Sequence, residues 1–213
     1  MAEAKTKKKL AKLNTPIGEA RWCWLYEPDT RFKDEGEYHV DLVLSEDNPK
    51  TKEIVAKIKA TYDDFKATLD DPKKAKKEPK HLGFEPETDD NGDETGNLIF
   101  KFKAKASFVN KKGERVEKAA PAVFDAQCKQ IKEPISIYNG TTMIVNFSPS
   151  GYFNGTNNGV TLYLNAVQII NLVSGGSGDA KDYGFGGEEG YSATPSMDED
   201  TDEAEDEVND EDF

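Results

Sequence analysis

Two cysteines and two histidines are all that this sequence offers to a disulfide framework or a metal site. Cys23 and Cys128 form no CxxC knuckle, and neither they nor His39 and His81 stand at ligand spacing. A zinc centre and a stapled extracellular scaffold are therefore not expected, and a reducing cytoplasm fits. Long apolar runs are missing too. No stretch approaches the ~20 residues that a membrane helix needs, so no membrane span is expected. The lysine-rich start (Lys5, Lys7, Lys8, Lys9, Lys12) is followed by no apolar core and does not read as a signal peptide. GxSxG, P-loop and HExxH motifs are all absent, and the acids gather in the C-terminal stretch and in loops, not in tuned pairs. An enzyme is not expected, and no cofactor is implied.

Basic residues are also in deficit. The 213-residue chain carries 28 Lys and Arg against 41 Asp and Glu, a formal charge of −13. Taken whole, that number argues against a nucleic-acid binder, but the charge is unevenly placed. Residues 198–213 hold eleven acids and no base, and residues 174–213 together carry −14, leaving +1 for residues 1–173. A like-charge run this dense cannot collapse, so it reads as a disordered interaction tail. Residues 174–197 contain seven glycines and read as a flexible linker. The expected organisation is a basic arm (1–15), a folded domain (16–173), the linker (174–197) and the acidic tail (198–213). The tail closes on Asp210, Glu211, Asp212 and Phe213. Solvation gains nothing from a terminal aromatic, whereas a docking peptide does.

Within the body, period-two alternation marks strands. Glu19–Tyr26 places Ala20, Trp22, Trp24 and Tyr26 on one face, and Glu37–Leu44 places Tyr38, Val40, Leu42 and Leu44 on one face. A helix follows, capped by Asp47 or Asn48, with Pro49 in its first turn and an apolar stripe from Ile54 to Leu69, ending at Asp71-Pro72. Residues 70–97 show no periodicity; their basic run (Lys73, Lys74, Lys76, Lys77, Lys80) reads as a solvated loop. Leu98–Val109 is the clearest strand, followed by Ala122–Asp125, Thr141–Phe147 and Val160–Leu172, with Asn139-Gly140, Asn154-Gly155 and Asn158-Gly159 as turn signals. The pattern is mainly β: an OB-fold, a five- to six-stranded barrel, with one α-helix inserted after strand 2.

Candidate binding residues follow from this placement. Lys101, Lys103 and Lys105 alternate along one strand, ~6.6–6.8 Å apart, so a nucleic-acid backbone could track along them. A solvated face or an edge strand guarded by lysine gives the same pattern. Phe100, Phe102 and Phe108 opposite are read as core. Better placed for base stacking are Tyr152 and Phe153 in the uncharged Pro149–Asn158 hairpin, Trp22 and Trp24 beside Arg21, and Phe32 between Arg31 and Lys33. Aromatic platforms beside a basic groove hold single strands without reading sequence.

These segments resemble the single-stranded DNA-binding proteins of short-tailed bacteriophages of the T-seven type. The resemblance rests on Gly36-Glu37-Tyr38-His39-Val40-Asp41-Leu42, on Asn91-Gly92-Asp93, on Phe100-Lys101-Phe102-Lys103-Ala104-Lys105-Ala106-Ser107-Phe108, on the strand ending at Asp125, and on the terminal Asp212-Phe213. It implies an OB barrel with its helix after the second strand. It also implies DNA contact through Lys101, Lys103 and the position of Lys105, and a later aromatic, Tyr152 or Phe153. The tail is implied to bind the phage DNA polymerase and helicase-primase, mainly through Phe213. In two places the chain departs from the family pattern: Lys105 stands where an aromatic can occur, and Glu35 stands where an arginine can, leaving Arg31 or Lys33 to compensate. The expected role is sequence-nonspecific single-strand binding in phage replication and recombination, in the host cytoplasm, with the tail competing against DNA. A homodimer is compatible with the sequence, which does not set the oligomeric state. Two rivals remain: a protein-interaction or chaperone module that works through its acidic tail, and a single-stranded RNA binder of cold-shock type.

Overall fold

Alternation and turn chemistry produce ten strands and two helices among residues 10–173, the part of the chain described by the computed structural model. The acidic tail, the linker and Lys5–Lys9 lie outside the described residues. In chain order the elements are β1 (Leu13–Asn14), β2 (Gly18–Asp29), β3 (Glu37–Ser45), α1 (Pro49–Ala67), α2 (Pro72–Ala75) and β4 (Phe84–Thr88). They continue with β5 (Glu94–Lys105), β6 (Ser107–Val109), β7 (Arg115–Glu117), β8 (Ala122–Phe124), β9 (Thr142–Asn154) and β10 (Asn157–Asn171).

Five of these strands close on themselves. β2 pairs with β3 and β3 with β5, both antiparallel. β5 pairs in parallel with β10 (Leu162 opposite Phe102). β10 returns antiparallel along β9, and β9 meets β2 at Gly18 and Met143. The short strands decorate this ring: β1 on β9, β4 on β5 and β8 on β10, while β6 and β7 form a separate hairpin. Inward-facing Val40, Leu42, Phe100, Phe102, Met143, Val145, Phe147 and Leu162 fill the ring, all at 1% exposure or less. The Phe102 ring centroid lies 5.0 Å from that of Phe147 and 6.3 Å from that of Phe100.

The helix follows the second long strand, as expected. Asn48 is its cap, its side chain accepting from the Lys50 N–H at 2.9 Å, and Pro49 stands in the first turn. Ile54, Ile58 and Tyr62 are its buried face. It stops at Ala67, short of the expected Asp71-Pro72, and Pro72 opens α2 instead.

Several expectations are corrected. Residues 70–97 are not one irregular loop, since they hold α2 and β4. Leu98–Val109 is two strands: the chain leaves the ring after Lys105, and Phe108 is 36% exposed on the outer hairpin instead of joining Phe100 and Phe102 in the core. The Pro149–Asn158 stretch is mostly strand, turning only at Gly155-Thr156, and Asn158-Gly159 lies inside β10. At Gly159 the β10 backbone approaches that of His81 so closely that a Cβ would lie 1.8 Å from the His81 carbonyl oxygen.

Most consequential is β2. Trp22 adopts φ +53°, and the β2–β3 register slips there, from Arg21 opposite Asp41 to Trp24 opposite His39. The extra residue is a β-bulge, which reverses the phase of the strand. Ala20 points inward before it and Leu25 after it, so the expected Ala20/Trp22/Trp24/Tyr26 face does not exist. Both tryptophans are released from the core.

Candidate nucleic-acid interface

An open groove of about 890 Å³ crosses the outer face of β3 and β5. One wall is the β2–β3 connection with Asp29, Arg31, Phe32 and Lys33; the other is formed by residues 79–85 and the β9–β10 hairpin, including Tyr152. His39 and Asp41 of β3 face Lys103 and Lys101 of β5 across the floor, in direct register.

Five aromatics line the groove: Phe84 and Phe102 belong to the core beneath it, and Trp22, Phe32 and Tyr152 stand further out. Phe32 is 86% exposed and Trp22 64%, and Tyr152 is half-buried. Trp22 is held in its unusual backbone geometry by the Asn139 side chain, which accepts its N–H at 3.0 Å. Large apolar rings standing in water beside cations are poor for stability but suited to stacking planar bases.

Arg31 is the most constrained cation. Buried Asp29 accepts from its backbone N–H, its Nε and its Nη2 at 2.8–2.9 Å. The guanidinium lies between two rings, 4.8 Å from the Trp24 centroid and 5.7 Å from that of Phe32. Hydrogen bonding from Arg31 holds the Asp29 carboxyl well below the usual carboxylate range. Asp29 also lies 3.4 Å from His39 Nε2, so one carboxylate organises the whole β2–β3 corner.

Two of the four groove lysines are neutralised. Lys101 pairs with Glu85 at 2.7 Å and Lys33 with Glu37 at 2.9 Å. Among the described residues, no carboxylate lies within 4.0 Å of Lys103 or Lys80. Burial pushes the Asp41 carboxyl upward, against the neighbouring Lys101 charge. Exposed ion pairs of this kind are worth about 0–1 kcal/mol, so a phosphate can replace the carboxylate at little cost.

The structure thus brings together Trp22, Arg31, Phe32, Lys33, Lys101, Lys103 and Tyr152. It places four expected residues elsewhere. Arg21 is turned to Glu87 (2.7 Å) and Glu19 (3.4 Å). Trp24 backs Arg31 and lines a separate cleft against residues 134–138. Lys105 pairs with Glu35 at 3.3 Å outside the groove. Phe153 lies under Lys74 and Lys77. The sequence reading missed Asp29, Asp41, Glu85, His39, Lys80 and His81 as groove residues. For His39 and Asp41 a signal existed, since both alternate outward on β3. Tail residues Asp210, Glu211, Asp212 and Phe213 lie outside the described residues.

The family model described as the single-stranded DNA-binding protein of bacteriophage T7 matches residues 17–172. The chain belongs to this family. The T7-type family is one of binding proteins, not enzymes. Among its relatives, the single-stranded DNA-binding protein of enterobacteria phage T3 is 29% identical over 172 residues, which are 76% of this chain and 73% of that protein. The corresponding protein of Escherichia phage T7 is 28% identical over 154 residues, covering 68% and 66%. The crystal structure of the T7 protein superposes with a TM-score of 0.66 at 24% identity, covering 87% of this chain and all of that one. A single-stranded DNA-binding protein of bacteriophage Enc34, solved in complex with single-stranded DNA, gives a TM-score of 0.58 at 16% identity, covering 75% and 86%. Both share the fold. Among the described residues no helix is long and apolar enough to cross a membrane.

Proposed function

We propose that this protein binds single-stranded DNA without sequence preference, in the groove over β3 and β5. The carrying observation is the convergence of exposed Trp22 and Phe32, Tyr152, and the unpaired Lys103 in one groove. The five-strand ring with its parallel β5–β10 pairing supports an OB-fold reading. In OB-folds the face of the second and third strands and the loops 1–2 and 4–5 carry oligonucleotides. Here those elements are β3, β5, the Arg31–Lys33 corner and the Tyr152 hairpin. Bases stack on the aromatics, phosphates take the place of Glu85 and Glu37 on Lys101 and Lys33, and Lys103 receives a phosphate directly.

The setting is phage DNA replication and recombination in the host cytoplasm. The tail, eleven acids in residues 198–213 with Phe213 last, competes with DNA for the same cations. Once displaced it recruits partners, the phage polymerase and helicase-primase, with Phe213 as the aromatic anchor. The family membership and the separation of charge between body and tail support this reading.

Titration of the full-length protein with fluorescent oligo-dT over a salt series tests the groove. For Lys101→Ala/Lys103→Ala the log–log salt slope is expected to fall by roughly 1.4, two phosphate contacts on single strand. An unmoved slope takes these lysines out of the interface, and equal affinity for oligo-rU removes any preference for DNA. Deleting residues 198–213 is expected to tighten binding with the salt dependence retained. Unchanged or weaker affinity would overturn the competition.

A further inference from the structure

A dense run of lysines, largely without carboxylate partners among the described residues, reaches the groove at Lys80. Residues 73–80 carry Lys73, Lys74, Lys76, Lys77 and Lys80 against one acid, Glu78. Among the described residues, Lys73, Lys76, Lys77 and Lys80 have no carboxylate within 4.0 Å, and Lys74 reaches Asp71 only at 3.9 Å. The groove lysine Lys101, by contrast, is paired at 2.7 Å.

This segment is pinned to the barrel by a buried polar network. Tyr62 and Asn158 are each 1% exposed. The Tyr62 hydroxyl donates to the Lys77 carbonyl at 3.0 Å, and the Asn158 amide donates to the Glu78 carbonyl at 2.7 Å and to the Tyr62 hydroxyl oxygen. Backbone bonds continue the seam, from the Lys80 N–H to the Asn158 carbonyl at 3.0 Å and from the Val160 N–H to the His81 carbonyl at 2.9 Å. Breaking such a network leaves buried polar groups without partners, so the segment holds its place.

The β9–β10 hairpin separates this surface from the groove. Tyr152 lines the groove. Phe153 points the other way, on the side where Gly151 abuts Phe65 of α1. The Lys74 and Lys77 ammonium groups lie 5.5 and 5.4 Å from the Phe153 centroid. Two cations over one ring are attracted by its quadrupole, which holds them in place against their mutual repulsion. Lys80, three residues on from Lys77, lines the groove wall.

We propose that Lys80, Lys77 and Lys74 form a phosphate track that carries the single strand out of the groove past the hairpin, with Phe153 positioning the two outer lysines instead of stacking a base. The track rests on the single-strand reading and lengthens its footprint. Among the described residues Lys77 and Lys80 have no carboxylate within 4.0 Å and Lys74 only that of Asp71 at 3.9 Å, so each phosphate taken up here displaces little existing pairing.

The test compares oligo-dT of about 6 and about 20 nucleotides, within and beyond the ~4–16-nucleotide range of one OB-fold. For Lys74→Gln/Lys77→Gln, affinity for the short oligomer is expected within about twofold of wild type. The long oligomer is expected to weaken about tenfold at low salt, with a slope lower by about 1.4. Phe153→Leu should reproduce part of that length-dependent loss with a lower slope, and Phe153→Tyr should restore both. A loss equal at both lengths, or none, overturns the track. A Phe153→Leu loss with unchanged slope makes Phe153 a stacking residue and overturns its positioning role. Wild-type protein that binds neither oligomer overturns the single-strand reading itself.

Discussion

Replacing Trp22 and Tyr152 together by alanine is expected to weaken oligo-dT binding by roughly 2–6 kcal/mol, at ~1–3 kcal/mol per stacked base. That is a loss of about 30-fold to about four orders of magnitude. No charge is removed, so the salt slope should stay at its wild-type value while the whole line shifts. Both residues project from the barrel, and Trp22 is 64% exposed, so the double variant should unfold at the wild-type urea midpoint. Affinity within about threefold of wild type would show that bases do not stack here. Trp24→Ala is the useful contrast. Its ring backs Arg31 at 4.8 Å, so its loss should loosen a cation, lowering affinity less and reducing the slope.

Phe102→Ala is expected to destabilise the fold by ~3–5 kcal/mol, the usual cost of emptying an aromatic site in a core. Phe102 sits between Val40 on β3 and Leu162 on β10, at the parallel pairing that closes the ring, and its ring meets Phe100 and Phe147. Against a total stability of ~5–15 kcal/mol, such a loss lowers the urea midpoint markedly and leaves a measurable unfolded fraction at the lower end of that range. Urea unfolding by fluorescence reads it directly, and a shift under about 1 kcal/mol would mean that the cavity collapses without cost. DNA affinity should fall only in proportion to the unfolded fraction. Phe108→Ala, on the same face by simple alternation, should stay within about 0.5 kcal/mol, because Phe108 has left the ring for the exposed β6–β7 hairpin.

Those two phenylalanines mark where the sequence was legible. Alternation identified β3 and β5 because each runs straight across the barrel with one face inward, and Asn48-Pro49 announced α1 through local capping chemistry. It failed where a distant partner decides the local geometry. The bulge at Trp22 depends on Asn139, 117 positions away, and nothing in residues 19–26 foretells a tryptophan at positive φ. Phe153 likewise looks interchangeable with Tyr152 in the sequence, and only the fold puts Lys74 and Lys77 over its ring. The lysine row was visible from spacing alone. Its pairing with Glu85 and Glu35 was not, since one acid arrives from β4 and the other from the β2–β3 connection.

The same carboxylates bear on how the protein lets go. A phosphate that lifts from Lys101 or Lys33 leaves a cation whose glutamate partner, Glu85 or Glu37, stands at 2.7–2.9 Å in the free protein. At these two lysines the vacated position heals at once, so release there bares no charge, unlike release from Lys103. A strand can then be peeled from one end, nucleotide by nucleotide, over a series of small barriers. On the proposed single-strand reading, an enzyme advancing along coated template would meet a zipper that it can open, not a clamp that it must break.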